Sequence, residues 1–162
     1  MNLVYHRIKE LFEQKGVEYT EYRHRAAYTS GQAAAARRVE LKTGVKALVC
    51  KTDSGNFILV LVRADRKADL GKMAALENTA KIKLASPEEV HRITGCKPGS
   101  VPPFGHKLPG LKSSGHLPLK TYFDRSILEN EWVNFNIGLR TRSASIRAGD
   151  LEKLIDGAII FG

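Results

Sequence analysis

Lys46-Ala47-Leu48-Val49-Cys50 and Asn56-Phe57-Ile58-Leu59-Val60-Leu61-Val62, separated by Lys51-Thr52-Asp53-Ser54-Gly55, decide the fold. Two apolar runs on either side of a polar turn ending in Gly form a β-hairpin. The second run is apolar almost without interruption, as in a strand covered on both faces, so it belongs at the centre of a sheet.

Upstream, Leu3, Val4, Ile8, Leu11 and Phe12 share one face of a helix over residues 2–15, with Lys9, Glu10, Glu13 and Gln14 around the other and Gly16 as the stop. Val17 to His24 is β-prone and rich in Tyr. Thr29-Ser30-Gly31-Gln32 then has the spacing of a capping box, and Ala33 to Arg38 supplies strong helix formers behind it. Downstream of the hairpin, Asp69 to Leu76 reads as a helix and Lys81 to Leu84 as a brief strand. Ser86-Pro87-Glu88-Glu89 combines an N-cap serine, a proline at the first helical position and a capping-box glutamate, so a short helix runs to Thr94. Lys120 to Asp124, Trp132 to Asn136 and Ala144 to Arg147 are expected strands, Asp150 to Ile155 a helix, and Ala158 to Phe161 a closing strand. Hairpins rather than regular βαβ units predict an α+β fold with a mixed, mainly antiparallel central sheet flanked by short helices. At 162 residues, without linkers or repeats, the chain is expected to be a single domain over 1–162.

The short helix delivers the chain into Gly95-Cys96-Lys97-Pro98-Gly99-Ser100-Val101-Pro102-Pro103-Phe104-Gly105. Three glycines and three prolines exclude a helix or a central strand and make a stiff loop with accessible backbone. Such a loop is either a tight corner or a wall for a small polar group. His106 to Pro118 adds more Gly, Pro and Ser without a period and is expected to form an exposed excursion.

Twenty-six Lys and Arg against 17 Asp and Glu give a formal net charge of +9 and a pI near 9.7. That field attracts polyanions such as nucleic acid, although solubility or compositional bias would account for it equally. Cys50 and Cys96 fit no CxxC spacing, the N-terminus lacks a secretory h-region, and no apolar run approaches the roughly twenty residues of a membrane helix. The expectation is a soluble cytoplasmic protein with two free thiols and no membrane partner. His6, His24, His91, His106 and His116 are scattered outside metal-binding patterns, and neither Gly-x-Ser-x-Gly nor a P-loop occurs, so neither a metal nor another cofactor is expected. Hydrolysis would have to rely on positioned water or a substrate group and on backbone amides for an oxyanion.

Lys46 opens an apolar strand, where lysine is depleted. It is either a strand-end lysine with its ammonium in solvent or a lysine at a pocket mouth that meets an anionic centre. His24 is open between a structural and a catalytic part. Tyr19, Tyr22 and Tyr28 either pack or stack on a base or ribose.

Taken in order, His24, Thr29 with its helix, Lys46-Ala47-Leu48-Val49, the hydrophobic strand and Ala64-Asp65-Arg66-Lys67-Ala68-Asp69-Leu70-Gly71-Lys72-Met73 resemble the YbaK/ProX aminoacyl-tRNA editing family, to which the editing domain of bacterial prolyl-tRNA synthetases is related. Ala85-Ser86-Pro87-Glu88-Glu89-Val90, the Gly95–Gly105 loop, Asp124 and Gly138 continue the match over nearly the whole chain. The resemblance implies that family's partly closed, barrel-like sheet and a metal-independent deacylase acting on the ester of mischarged tRNA, with tRNA-Pro or a related tRNA carrying a small amino acid such as Ala, Cys or Ser as the expected substrate. It implies Lys46 as the residue tied to activity. It also implies an aminoacyl pocket drawing on His24, Tyr28, Thr29, Gly95, Gly99, Val101, Pro103, Phe104, Gly105 and Gly138. Mischarged tRNA is the implied partner, with an aminoacyl-tRNA synthetase as a second. A non-catalytic tRNA- or synthetase-binding module of the same fold is the alternative. Between Gly105 and Asp124 the chain is longer than the family pattern, which bears on the pocket rim.

Overall fold

The computed structural model describes residues 3–104, 119–155 and 157–162. Gly105 and the expected excursion over residues 106–118 lie outside the described residues.

The hairpin forms as strands β2 (Val45–Thr52) and β3 (Phe57–Arg63), paired antiparallel with Lys46 opposite Val62 and Leu48 opposite Val60. The elements preceding it are helix α1 (Leu3–Lys15), strand β1 (Thr20–Arg23) and helix α2 (Ser30–Arg37). After it come helix α3 (Leu70–Leu76), strand β4 (Ile82–Leu84) and helix α4 (Pro87–Thr94). Strands β5 (Lys120–Asp124), β6 (Trp132–Leu139) and β7 (Arg142–Arg147), helix α5 (Ala148–Leu154) and strand β8 (Ile159–Phe161) complete the order.

β3 is central, in a five-stranded sheet of order β4-β2-β3-β5-β8. Its pairing with β5 and that of β5 with β8 are parallel, and the other ladders are antiparallel. The position explains the sequence. Leu59 and Leu61 enter one core while Ile58, Val60 and Val62 enter another on the opposite face, each at most 2 % exposed. A strand with no solvent face has no use for a polar residue.

The central sheet expected from the sequence is accompanied by a second one, β1-β7-β6, wholly antiparallel. Among the described residues, a parallel bridge between Gly44 and Asn134 links the backbones of the two sheets. Gly44 also packs closely on the residue that follows β3, at the open end of the hairpin: a Cβ on Gly44 would lie 2.8 Å from the Ala64 Cβ, while the Ala64 amide donates to the Gly44 carbonyl at 2.8 Å.

The larger core lies between the sheets, α1 and α5. Val4, Ile8, Leu11 and Phe12 of α1 meet Phe135 and Ile137 of β6 and Val101 and Phe104 from the loop. The Phe104 ring stands edge-on to Phe12 and Phe135, with centroids 5.9 and 5.4 Å apart. The smaller core places Met73 and Ala74 of α3 under Tyr122 and the other face of β3.

Local signals explain the helix ends. Ser86 and Glu89 form the full reciprocal capping box, and Gly95 closes α4 in a left-handed conformation at φ +72°. Thr29 caps α2, but Gln32 reaches one residue further back and accepts from the Tyr28 amide. β6 extends past its expected end at Asn136, through Gly138 at φ +91°, with a register shift between Asn136 and Leu139. β7 likewise begins earlier than expected, at Arg142.

Candidate functional site

A cleft of about 210 Å³ opens where the two sheets meet. Its walls are the start of α2, the first residues of β2, Asn134 and Asn136 of β6, and Gly99 and Val101 of the loop. Among the residues expected at a site, Tyr28, Thr29, Lys46, Gly99 and Val101 share it.

Lys46 is half-buried at the start of β2. Its Nζ donates to the Arg66 carbonyl at 2.6 Å, which ties the side chain across the sheet end and leaves two N–H groups for another acceptor. Burial lowers its pKa below the usual lysine value of 10.5, Asp65 works against that shift and Lys67 adds to it. Tyr28 is 66 % exposed at the rim, with the Arg140 guanidinium 4.7 Å from its ring centroid. Thr29 lends its hydroxyl to the helix cap, accepting from the Gln32 amide at 3.0 Å.

The loop is fixed from β6 and the turn after it, through three successive carbonyls. Arg140 donates to the Pro98 carbonyl from Nη2 at 2.7 Å and from Nε at 3.2 Å. The Asn136 side-chain amide donates to the Gly99 carbonyl, and the Gly138 amide donates to the Ser100 carbonyl at 3.2 Å. The Ser100 amide closes a turn on the Lys97 carbonyl at 3.0 Å. The amides of Gly99 and Val101 have no acceptor among the described residues. Gly99, at φ +83°, is held in a backbone conformation that other residues rarely adopt.

Other expected residues stand behind the cleft instead of lining it. Pro103 and Phe104 are buried, Phe104 inside the larger core. Gly95 ends α4, and Gly138 forms the bulge that brings β6 to the loop. His24 contacts Ser143 Oγ through Nε2 and the Arg25 carbonyl through Nδ1, both at 2.8 Å. The carbonyl can only accept, so Nδ1 carries a proton.

The sequence reading missed Arg37, Asn134, Asn136 and Ser143. Arg37, on the cleft wall and only 7 % exposed, donates from Nε to Ser143 Oγ at 2.7 Å, from Nη1 to Asn134 Oδ1 at 2.8 Å and from Nη2 to Asn136 Oδ1 at 2.8 Å. Burial lowers its pKa to about 10, so it remains charged at neutral pH. A usable signal was present in Val133-Asn134-Phe135-Asn136-Ile137, where strand alternation places both asparagines on one face and the apolar residues on the other.

Among the described residues, no group of three or more His, Cys, Asp or Glu converges as a metal site, and no helix is long and apolar enough to cross a membrane. Cys50 and Cys96 are free and buried, and burial raises both thiols to about 11.

A family model described as an aminoacyl-tRNA editing domain matches residues 24–154. The chain is 28% identical over 163 residues to the multifunctional Ser/Thr-tRNA deacylase ProXp-y of Escherichia coli K12, covering 98% of this chain and 92% of that protein. A 61-residue stretch is 43% identical to the proline–tRNA ligase of Bacillus licheniformis, covering 38% of this chain and 10% of the ligase. A crystal structure described as a candidate trans-editing enzyme for prolyl-tRNA synthetase superposes with a TM-score of 0.79 at 28% identity, covering 99% of this chain and 96% of that one.

Proposed function

The chain belongs to the aminoacyl-tRNA editing family, and from that premise we propose that it is a deacylase that hydrolyses the ester between a wrongly attached amino acid and its tRNA. The observation that carries this reading is the meeting of Lys46 with Gly99 and Val101 in one cleft, although the strand and the loop are some fifty residues apart.

Lys46 acts at the rim, where its free N–H groups hold the terminal phosphate or ribose of the tRNA. Tyr28 covers the adjacent base or sugar. The amides of Gly99 and Val101 polarise the ester carbonyl. Water adds to the carbonyl carbon and the π pair moves to the oxygen. The bond to the ribose oxygen then breaks as that oxygen takes a proton. The amino acid leaves as a carboxylate, and the second proton of the water passes to solvent. Oxygen-holding donors aimed at the developing charge are each worth on the order of 100-fold in rate. No metal takes part. The +9 charge attracts the tRNA backbone without regard to sequence.

The cleft's volume of about 210 Å³ favours small aminoacyl groups. Ala, Cys and Ser on tRNA-Pro are the proposed substrates, with Thr added because the Escherichia coli relative is named a Ser/Thr-tRNA deacylase. A pocket of this kind discriminates between groups differing by one methylene by only about 10- to 200-fold, so several of these are accepted. The whole chain works as one editing unit in the cytoplasm beside a synthetase. Release of amino acid from a panel of mischarged tRNAs tests the reading, and a protein that binds tRNA without releasing any amino acid would replace it with a binding module.

A further inference from the structure

Arg37 is costly to bury, because an arginine is rarely buried without a carboxylate to pair with. Its three acceptors are Ser143, Asn134 and Asn136, all of them uncharged. Among the described residues no carboxylate pairs with it, and Tyr22 is the one ionisable group that acts on it. A guanidinium carries five N–H donors, so two remain after these bonds. The residue lines the cleft that holds Lys46 and the loop amides.

Two side chains make this a built arrangement. Asn136 accepts from Arg37 and donates to the Gly99 carbonyl, so the guanidinium and the loop are set by the same carboxamide. Asn134 accepts from Arg37 and donates to Thr43 Oγ1 at 2.8 Å, which ties it to the turn before β2. A cation fixed on three sides by neutral groups, with donors to spare, has no anion among the described residues.

We propose that Arg37 is the oxygen-binding cation of the cleft, holding the acyl oxygen of the bound ester as it becomes an oxyanion and then the carboxylate of the released amino acid. This rests on the deacylase reading above. As water adds, the carbonyl π pair moves to the oxygen facing Arg37. When the ribose oxygen departs with its proton, the same oxygen becomes half of the product carboxylate. The guanidinium itself gains and loses no proton.

The rival is a purely structural staple joining α2 to β6 and β7, and kinetics separate the two. In Arg37→Met, which retains length but not charge, kcat on a mischarged tRNA is expected to fall on the order of 100-fold while KM changes less than threefold. Arg37→Lys should recover part of that loss, and millimolar methylguanidinium should restore turnover to Arg37→Ala. A folded Arg37→Met enzyme with wild-type kcat overturns the proposal. Should that variant not fold, the wild-type protein decides through the Arg37 Nε–H resonance. It should shift on adding L-serine or L-alanine and stay in place with the corresponding amides, which lack the carboxylate. No shift with either acid overturns the proposal. Absence of release by the wild-type enzyme from every mischarged tRNA would instead remove the deacylase reading beneath it.

Discussion

Asn136 donates its side-chain amide to the carbonyl of Gly99, so a residue of β6 sets the position of a loop almost forty residues earlier in the chain. The same carboxamide accepts from Arg37. Loop and guanidinium therefore share one anchor, and this coupling yields the first prediction. Asn136→Ala removes both bonds and a third that Oδ1 accepts from Ser143 Oγ at 3.3 Å, which should cost about 1–3 kcal/mol of stability by leaving partners unpaired. Deacylation should fall at least tenfold. Thermal unfolding and single-turnover rates measured on one preparation check both numbers, and wild-type turnover in a folded variant would disconnect Asn136 from the site.

Lys46 should set an alkaline limit to activity. Burial holds its pKa below 10.5, and the ammonium is the form that grips an anion, so activity is lost as pH rises through a midpoint below 10.5. The enzymatic rate, corrected for spontaneous ester hydrolysis, gives the profile. Titration of the Lys46 side-chain ¹³Cε resonance should show the same midpoint, and an unshifted value would deny the burial.

Gly44→Ala tests the packing at the open end of the β2–β3 hairpin. The added methyl would sit 2.8 Å from the Ala64 Cβ, and both atoms are fixed to backbone that is itself hydrogen-bonded. Overpacking of this kind costs about 1–3 kcal/mol, to be read as a lower midpoint in urea. The φ of −77° at Gly44 suits alanine, so any loss is steric.

The thiols should be inert in the native protein. Burial raises Cys50 and Cys96 to about 11, leaving little thiolate at pH 8. A chromogenic disulfide reagent should react with both thiols in denaturant and only slowly without it. Fast reaction of the native protein would show that one of these sites opens.

Signals that act over a few residues were legible in the sequence. The apolar run at Phe57–Val62 identified the central strand, and Ser86 with Glu89 identified a helix start, because each depends on neighbours a few positions away. The family order likewise drew attention to Lys46 and the Gly/Pro loop, both of which reach the cleft. What remained hidden depends on distant partners. Nothing near Arg37 in the sequence announces Ser143 or Asn134, which lie 106 and 97 positions away. The bulge at Gly138 was invisible for a related reason: its positive φ serves the pairing of β6 with the loop, a contact that local composition does not encode. Phe104, implied as a pocket residue, is held in the core by Phe12 and Phe135, which belong to two other elements.

Hydrolysis of aminoacyl esters in the cleft, with Lys46 in contact with the substrate, is open to direct test. The most direct measurement is amino-acid release from tRNA-Pro charged with Ala, Cys, Ser or Thr, comparing the wild-type protein with Lys46→Ala. The expected result is multiple-turnover release by the wild-type protein from at least one of these substrates and a loss on the order of 100-fold or more in the variant, with its unfolding midpoint little changed. Equal release by the two proteins, or none by the wild type, would contradict it.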